Sequence, residues 1–173
     1  MEALKEFNIG YSGLKLGEHL FDFQLDDLFF QNFDYDSFCQ SQIKAKVRLF
    51  KKSSSLEFDF SFTGDVEVIC DTLGEPYQQP LSGESSVKVK FSELRDDSNE
   101  EILVLPYNEY QLNVAQYLYE LVILSIPLKL ESPEAKGERG DEVREQWASK
   151  LDEVNDQSDK TDPRWDKLKD LLS

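Results

Sequence analysis

The stretch that decides the fold is Ile43-Lys44-Ala45-Lys46-Val47-Arg48-Leu49-Phe50-Lys51-Lys52-Ser53-Ser54-Ser55-Leu56-Glu57-Phe58-Asp59-Phe60-Ser61-Phe62. Apolar Ile43, Ala45, Val47 and Leu49 alternate with Lys44, Lys46 and Arg48. After a polar turn at 51–55, Leu56, Phe58, Phe60 and Phe62 alternate with Glu57, Asp59 and Ser61. A period of two sends one set of side chains into a core and the other into water. Two such runs joined by a short polar turn predict an antiparallel hairpin.

Working outward, residues 6–11 predict a short strand, and Phe21, Phe23 and Leu25 alternate with Asp22 and Gln24 as a half-buried strand over 18–25. Asp26 is placed to cap a short helix in the Phe- and Asp-rich segment 26–38. Gly64 is expected to break the second hairpin strand, with Val66–Cys70 resuming as another. Residues 71–76 form a loop, Val87, Val89 and Phe91 mark a further strand, 96–101 an exposed acidic loop, and 102–105 a short buried strand. A helix is predicted at about 113–126, opened by a capping box between Asn113 and Gln116 and ended by Pro127.

Residues 128–140, with Pro133, Gly137 and Gly140, read as a linker. Val143, Trp147, Leu151 and Val154 define an amphipathic helix over 141–154, and 155–161 are polar linker. The chain closes on Asp162-Pro163-Arg164-Trp165, with Leu168 and Leu171 on the face of Trp165. A helix of that length is marginal alone in water and needs something to dock on. Strands first and helices last predict an α+β fold: a curved antiparallel sheet or partly closed β-barrel covered by one helix, with C-terminal amphipathic helices. The expected division is a body at 1–128 and a linker with helical tail at 129–173.

The chain has 35 acidic and 19 basic residues among 173, a net charge of -16. The body carries -12 of it and the tail -4. So acidic a protein is repelled at long range by nucleic acid and anionic membranes, and meets RNA only through a local basic patch. The candidate patch is the ladder Lys44, Lys46, Arg48, Lys51 and Lys52, extended by Lys88 and Lys90. Its first three members lie about 7 Å apart along one sheet face, close to the spacing of successive phosphates. The competing expectation is that Glu57 and Asp59 lie across from Arg48 and Lys46 and neutralise them. Trp147, Arg164, Trp165, Leu168 and Leu171 are the candidates for partner docking, since Trp and Arg dominate binding hot spots.

No catalytic, cofactor or metal residue is assigned. His19 has no positioned partner in any motif, and Cys39 and Cys70 lack metal-ligand spacing. Paired carboxylates at Asp26/Asp27, Asp34/Asp36 and Asp96/Asp97 leave a metal-dependent nuclease as one alternative. A protein-only interaction module is another. The start, Met1 to Glu6, has no apolar signal core, and the longest apolar run, 121–126, is too short to span a bilayer. The expectation is a cytoplasmic protein.

Four stretches resemble the YceD family of bacterial and plastid proteins linked to accumulation of large-subunit ribosomal RNA, in its Bacteroidetes-type members. They are Gly13-Leu14-Lys15-x-Gly17 with the Phe21/Phe23 strand, and Val68-Ile69-Cys70-Asp71 with Glu75-Pro76-Tyr77. Asn113-Val114-Ala115-Gln116-Tyr117-Leu118-Tyr119-Glu120-Leu121 closed by Ile126-Pro127 is the third, and Asp162-Pro163-Arg164-Trp165 with Leu168 the fourth. Leu73 stands where many members have a second cysteine, and a cysteine-rich segment before the final Asp-Pro-Arg is missing, so no metal role carries over. The resemblance implies a cytoplasmic, non-enzymatic factor for synthesis, processing or stability of that RNA, with no cofactor. Its partner would be precursor ribosomal RNA or a processing or ribosome-assembly protein, neither DNA nor membrane.

Overall fold

The structure, a computed structural model, describes residues 4–91 and 102–157. By its internal contacts the chain falls into two compact units: residues 1–69 with 76–128, and residues 70–75 with 129–173.

The first unit is built on the hairpin. Strand β3 (Cys39–Lys51) and strand β4 (Ser55–Ile69) pair antiparallel, and β3 is flanked by β2 (Gly17–Leu25). Strand β5 (Pro76–Phe91) pairs antiparallel with β4, and β6 (Ile102–Leu105) follows it, giving the order β2-β3-β4-β5-β6. Apolar alternation fixes the inner face: Val47, Leu49, Phe58 and Val89 are fully buried, and Ala45, Leu56 and Phe60 nearly so. A two-stranded sheet of β1 (Asn8–Gly10) and β7 (Gln111–Asn113) precedes helix α2 (Ala115–Leu124). Helix α2 buries Ala115, Leu118 and Val122, and its Tyr117 ring stacks on Phe60 at 5.7 Å. It approaches β5 where the sheet has no side chain: a Cβ on Gly83 would lie 2.6 Å from Ser125 Oγ and 2.8 Å from the Phe62 ring. Helix α1 (Asp27–Gln31) adds Phe29 and Phe30 to the core, and Asp26 caps it by accepting the Phe29 N–H at 3.0 Å.

The α+β class holds, but the sheet is open and mixed rather than purely antiparallel, because β6 runs parallel to β5 with Lys88 opposite Ile102. Residues 6–11 begin as a 3-10 turn (Lys5–Phe7) before β1. The hairpin register is two residues from that expected. The connection is only Lys52–Ser54, closed by Lys52 N–H donating to Ser55 O at 2.9 Å, so Arg48 faces Asp59 and Lys46 faces Ser61. A shift of two keeps every side chain on its face. Gly64 does not break β4. It lies under the irregular start of β3, where a Cβ would come within 2.6 Å of Ile43 Cα. β5 extends back to Pro76, eleven residues before the alternating Val87–Phe91 end. Asn113 and Gln116 form no capping box: Asn113 Oδ1 accepts the Ala115 N–H, while Gln116 donates to Glu120. The acidic loop 96–101 lies outside the described residues.

In the second unit the loop Cys70–Glu75 is fastened to the segment that follows residue 128. Asp71 N–H donates to Leu130 O and Leu130 N–H donates to the Asp71 carboxylate, both at 2.7 Å. Arg139 bridges Glu75 and Glu134, and Arg144 bridges Glu131 and Asp141. Helix α3 (Glu138–Gln157) starts three residues before the expected 141 and continues past 154.

Phe60, 2% exposed and stacked between Phe58 and Tyr117, should be the most costly inner-face truncation. Phe60→Ala is expected to remove about 3–5 kcal/mol, read as a melting temperature lower by roughly 10 °C or more. A melt within two degrees of the parent would contradict the packing.

Asp27 supplies a pH signature. Burial pushes its carboxyl up, but the Ser41 hydroxyl and the N–H groups of Ser41 and Gln40 outweigh it and hold Asp27 below the usual value. The stabilisation is therefore complete above the unfolded value near pH 3.9 and is lost as pH falls through the lower folded value. Acid unfolding of Asp27→Asn should show a shallower pH dependence in that window than the parent.

Candidate nucleic-acid interface

Among the described residues nothing of the first unit covers the outer face of the five-stranded sheet, which is where the pleat sends Lys44, Lys46, Arg48, Lys88 and Lys90, while Lys51 falls on the opposite register. The register arranges that face in rows across the strands. One row runs Gln24, Lys44, Thr63, Ser82; the next Asp22, Lys46, Ser61, Glu84; the third Leu20, Arg48, Asp59, Ser86; the fourth Glu18, Phe50, Glu57, Lys88. Shallow depressions on this face are lined by Lys44, Lys46 and Arg48 together with Ser61, Thr63, Ser82 and Glu84.

The seven cations divide sharply. Arg48 is spent on Asp59, to which Nε and Nη2 donate at 3.2 and 3.0 Å. Lys52 pairs with Glu57 at 2.7 Å and sits 5.6 Å from the centre of the Phe50 ring. That hydrogen bond, despite some desolvation, draws the Glu57 carboxyl below its ordinary value, with the charges of Lys52 and Lys88 assisting. Lys51 belongs to the architecture. Its Nζ donates to the carbonyls of Tyr11, Ser12 and Leu14 at 2.8, 3.2 and 2.9 Å, holding the loop between β1 and β2. Lys44, Lys46, Lys88 and Lys90 make no ion pair or hydrogen bond among the described residues. Lys44 and Lys90 are the least compensated, since the residues directly across from each are neutral.

Other candidates fall away from this face. His19 Nε2 lies 2.8 Å from Lys15 O. Asp26 is a helix cap and Asp27 holds β3. Among the described residues no three His, Cys, Asp or Glu side chains converge as metal ligands. Both cysteines are free, Cys39 exposed and Cys70 buried. Burial pushes the Cys70 thiol up, yet the N–H groups of Ser132, Leu73 and Thr72 aimed at its sulfur outweigh that and hold it low. Cys70, Asp71 and Glu75 thus all serve to anchor the second unit. Their partners lie some 60 residues on, so only the excess of Arg and Glu after Pro133 hints at them in the sequence. Trp147 is 62% exposed on α3, with Lys150 Nζ 5.4 Å from its ring centre. Arg164, Trp165, Leu168 and Leu171 lie outside the described residues. No helix among the described residues is long and apolar enough to cross a membrane.

Because Lys51 satisfies three carbonyls at once, Lys51→Met should destabilise the first unit by about 1–3 kcal/mol, the cost of orphaning groups bonded to a charge. Lys90→Met should change stability by less than about 0.5 kcal/mol, as expected of a surface change that breaks no contact. Denaturant unfolding of the pair checks the distinction.

Comparison with known proteins adds one finding to this geometry. A family described as large ribosomal RNA subunit accumulation protein YceD matches residues 58–172. No curated protein and no solved structure matches the chain. The family match begins inside β4, takes in the Cys70–Glu75 loop, α2 and α3, and covers well over half of the sequence, so the protein belongs to the YceD family.

Proposed function

We propose that this protein is a non-enzymatic cytoplasmic factor that supports accumulation of large-subunit ribosomal RNA. It acts as an adaptor that contacts the RNA precursor through the outer face of its sheet. The family description supplies the process. The observation that carries the contact is the pair Lys44 and Lys46, which form no ion pair among the described residues and line one shallow depression with Ser61, Thr63 and Ser82. An ammonium pair beside hydroxyl donors suits phosphate oxygens, which accept from both. In a chain of net charge -16, such a contact is short-ranged and follows encounter rather than driving it.

A second reading, a module that meets only proteins of the assembly pathway, is favoured by one specific observation. Arg48 and Lys52, two of the five cations from Lys44 to Lys52, are paired with Asp59 and Glu57.

Titration of labelled large-subunit precursor RNA at several low salt concentrations separates the two. Each single-strand phosphate contact contributes roughly 0.7 to the slope of log affinity against log salt. Lys44→Ala with Lys46→Ala should therefore lower that slope by about 1.4, while Lys52→Ala leaves it nearly unchanged. Absence of any RNA association in low salt would leave the protein-only reading standing.

A further inference from the structure

We infer that strand β2 is a docking edge for an extended basic segment of another polypeptide, which joins the sheet as a sixth strand. The inference does not rest on the RNA contact proposed above: it uses the free edge of the same sheet, where Asp22 lies opposite Lys46 and Leu20 opposite Arg48. β2 is nine residues long and lies at the end of the strand order, paired only with β3. Among the described residues, no backbone group of 18–24 has a hydrogen-bond partner other than β3, apart from the strand ladder itself. A row of unpaired N–H and C=O groups is a template for strand addition, and proteins ordinarily blunt such an edge.

Here the outward side chains do the selecting. Glu18, Leu20 and Asp22 are exposed in alternate positions, Leu20 at 68%, and neither carboxylate has an ion pair or hydrogen bond among the described residues. A strand laid alongside would set its own alternate side chains next to these three. The complementary pattern is a basic residue, any residue, an apolar residue, any residue, and a second basic residue. That pattern reads the same in both directions, so a parallel or an antiparallel partner satisfies it. A second copy of this chain does not. With Leu20 facing Leu20 across a two-fold axis, Glu18 of each copy would face Asp22 of the other, and like charges opposite one another are destabilising. The same acids that reject self-association attract a lysine-bearing strand, so the edge is both protected and specific.

The test uses the full-length protein and a seven-residue peptide, Thr-Lys-Thr-Val-Thr-Lys-Thr, blocked at both ends. Binding is followed by titration and by hydrogen exchange at the amides of 17–25. The expected result is saturable binding, with new protection at alternate amides of β2. Glu18→Lys with Asp22→Lys should weaken it by on the order of tenfold and make the protein accept the peptide with Glu in place of both Lys. Methylating the peptide nitrogens that face β2 should abolish binding, because the peptide then has no donor for the β2 carbonyls and the methyl groups hold the two backbones apart. Equal binding of the methylated peptide would reduce the effect to charge attraction alone and overturn the proposal. Binding without new protection in β2, or protection in the free protein of the β2 amides that point away from β3, would overturn it too. So would a concentration-dependent dimer protected at β2, which would identify a second copy as the occupant.

Discussion

Everything in the first unit follows from one constraint: the inner side chains of β3 and β4 must leave water together. Val47, Leu49 and Phe58 have no exposure at all, and α2 lies against the same sheet through Tyr117 and the gap at Gly83. Burial of aromatic and branched side chains at this density dominates the favourable side of folding. It also fixes everything opposite. Once Ala45, Val47 and Leu49 point inward, the pleat leaves Lys44, Lys46 and Arg48 no choice but the outer face. The candidate surface is thus a by-product of the core, and its spacing is as rigid as the core.

That logic explains what the sequence disclosed. Alternation announced β2, β3 and β4, and Asp26 announced α1, because those signals are local. What it concealed was non-local or masked by composition. β5 carries Pro76, Pro80, Gly83 and several serines, so its long pairing with β4 has no apolar rhythm. Gly64 looked like a break and is instead a point of close approach under β3. The two-residue register shift depended on where the Lys52–Ser55 turn closes, and it decided which acid meets which base. The division of the ladder into spent and unspent cations is a property of side-chain reach across strands. Lys51 in particular resembled its neighbours in sequence and turned out to grip three backbone carbonyls.

The outer face carries acids and bases in nearly equal number, although the chain as a whole is strongly acidic. Its cations are therefore effective only where a neutral row isolates them, as at Lys44, and screening by salt erodes the rest. A surface of this kind favours partners already held close by another contact. Two weak contacts joined through one rigid scaffold act at an effective concentration set by the scaffold, which multiplies their separate affinities.

The reciprocal bonds between Asp71 and Leu130 carry a consequence for the time axis of synthesis. They join residues 59 positions apart, so the loop that leaves β4 cannot be fastened until the whole of β5, β6, β7 and α2 has emerged from the ribosome. Domains are made from the N-terminus onward at about 5–20 residues per second, which leaves Cys70–Glu75 open for several seconds while the sheet beside it assembles. The Asp71–Leu130 pair is in this sense a late closure within the second unit: it forms only once the chain between its ends has been completed.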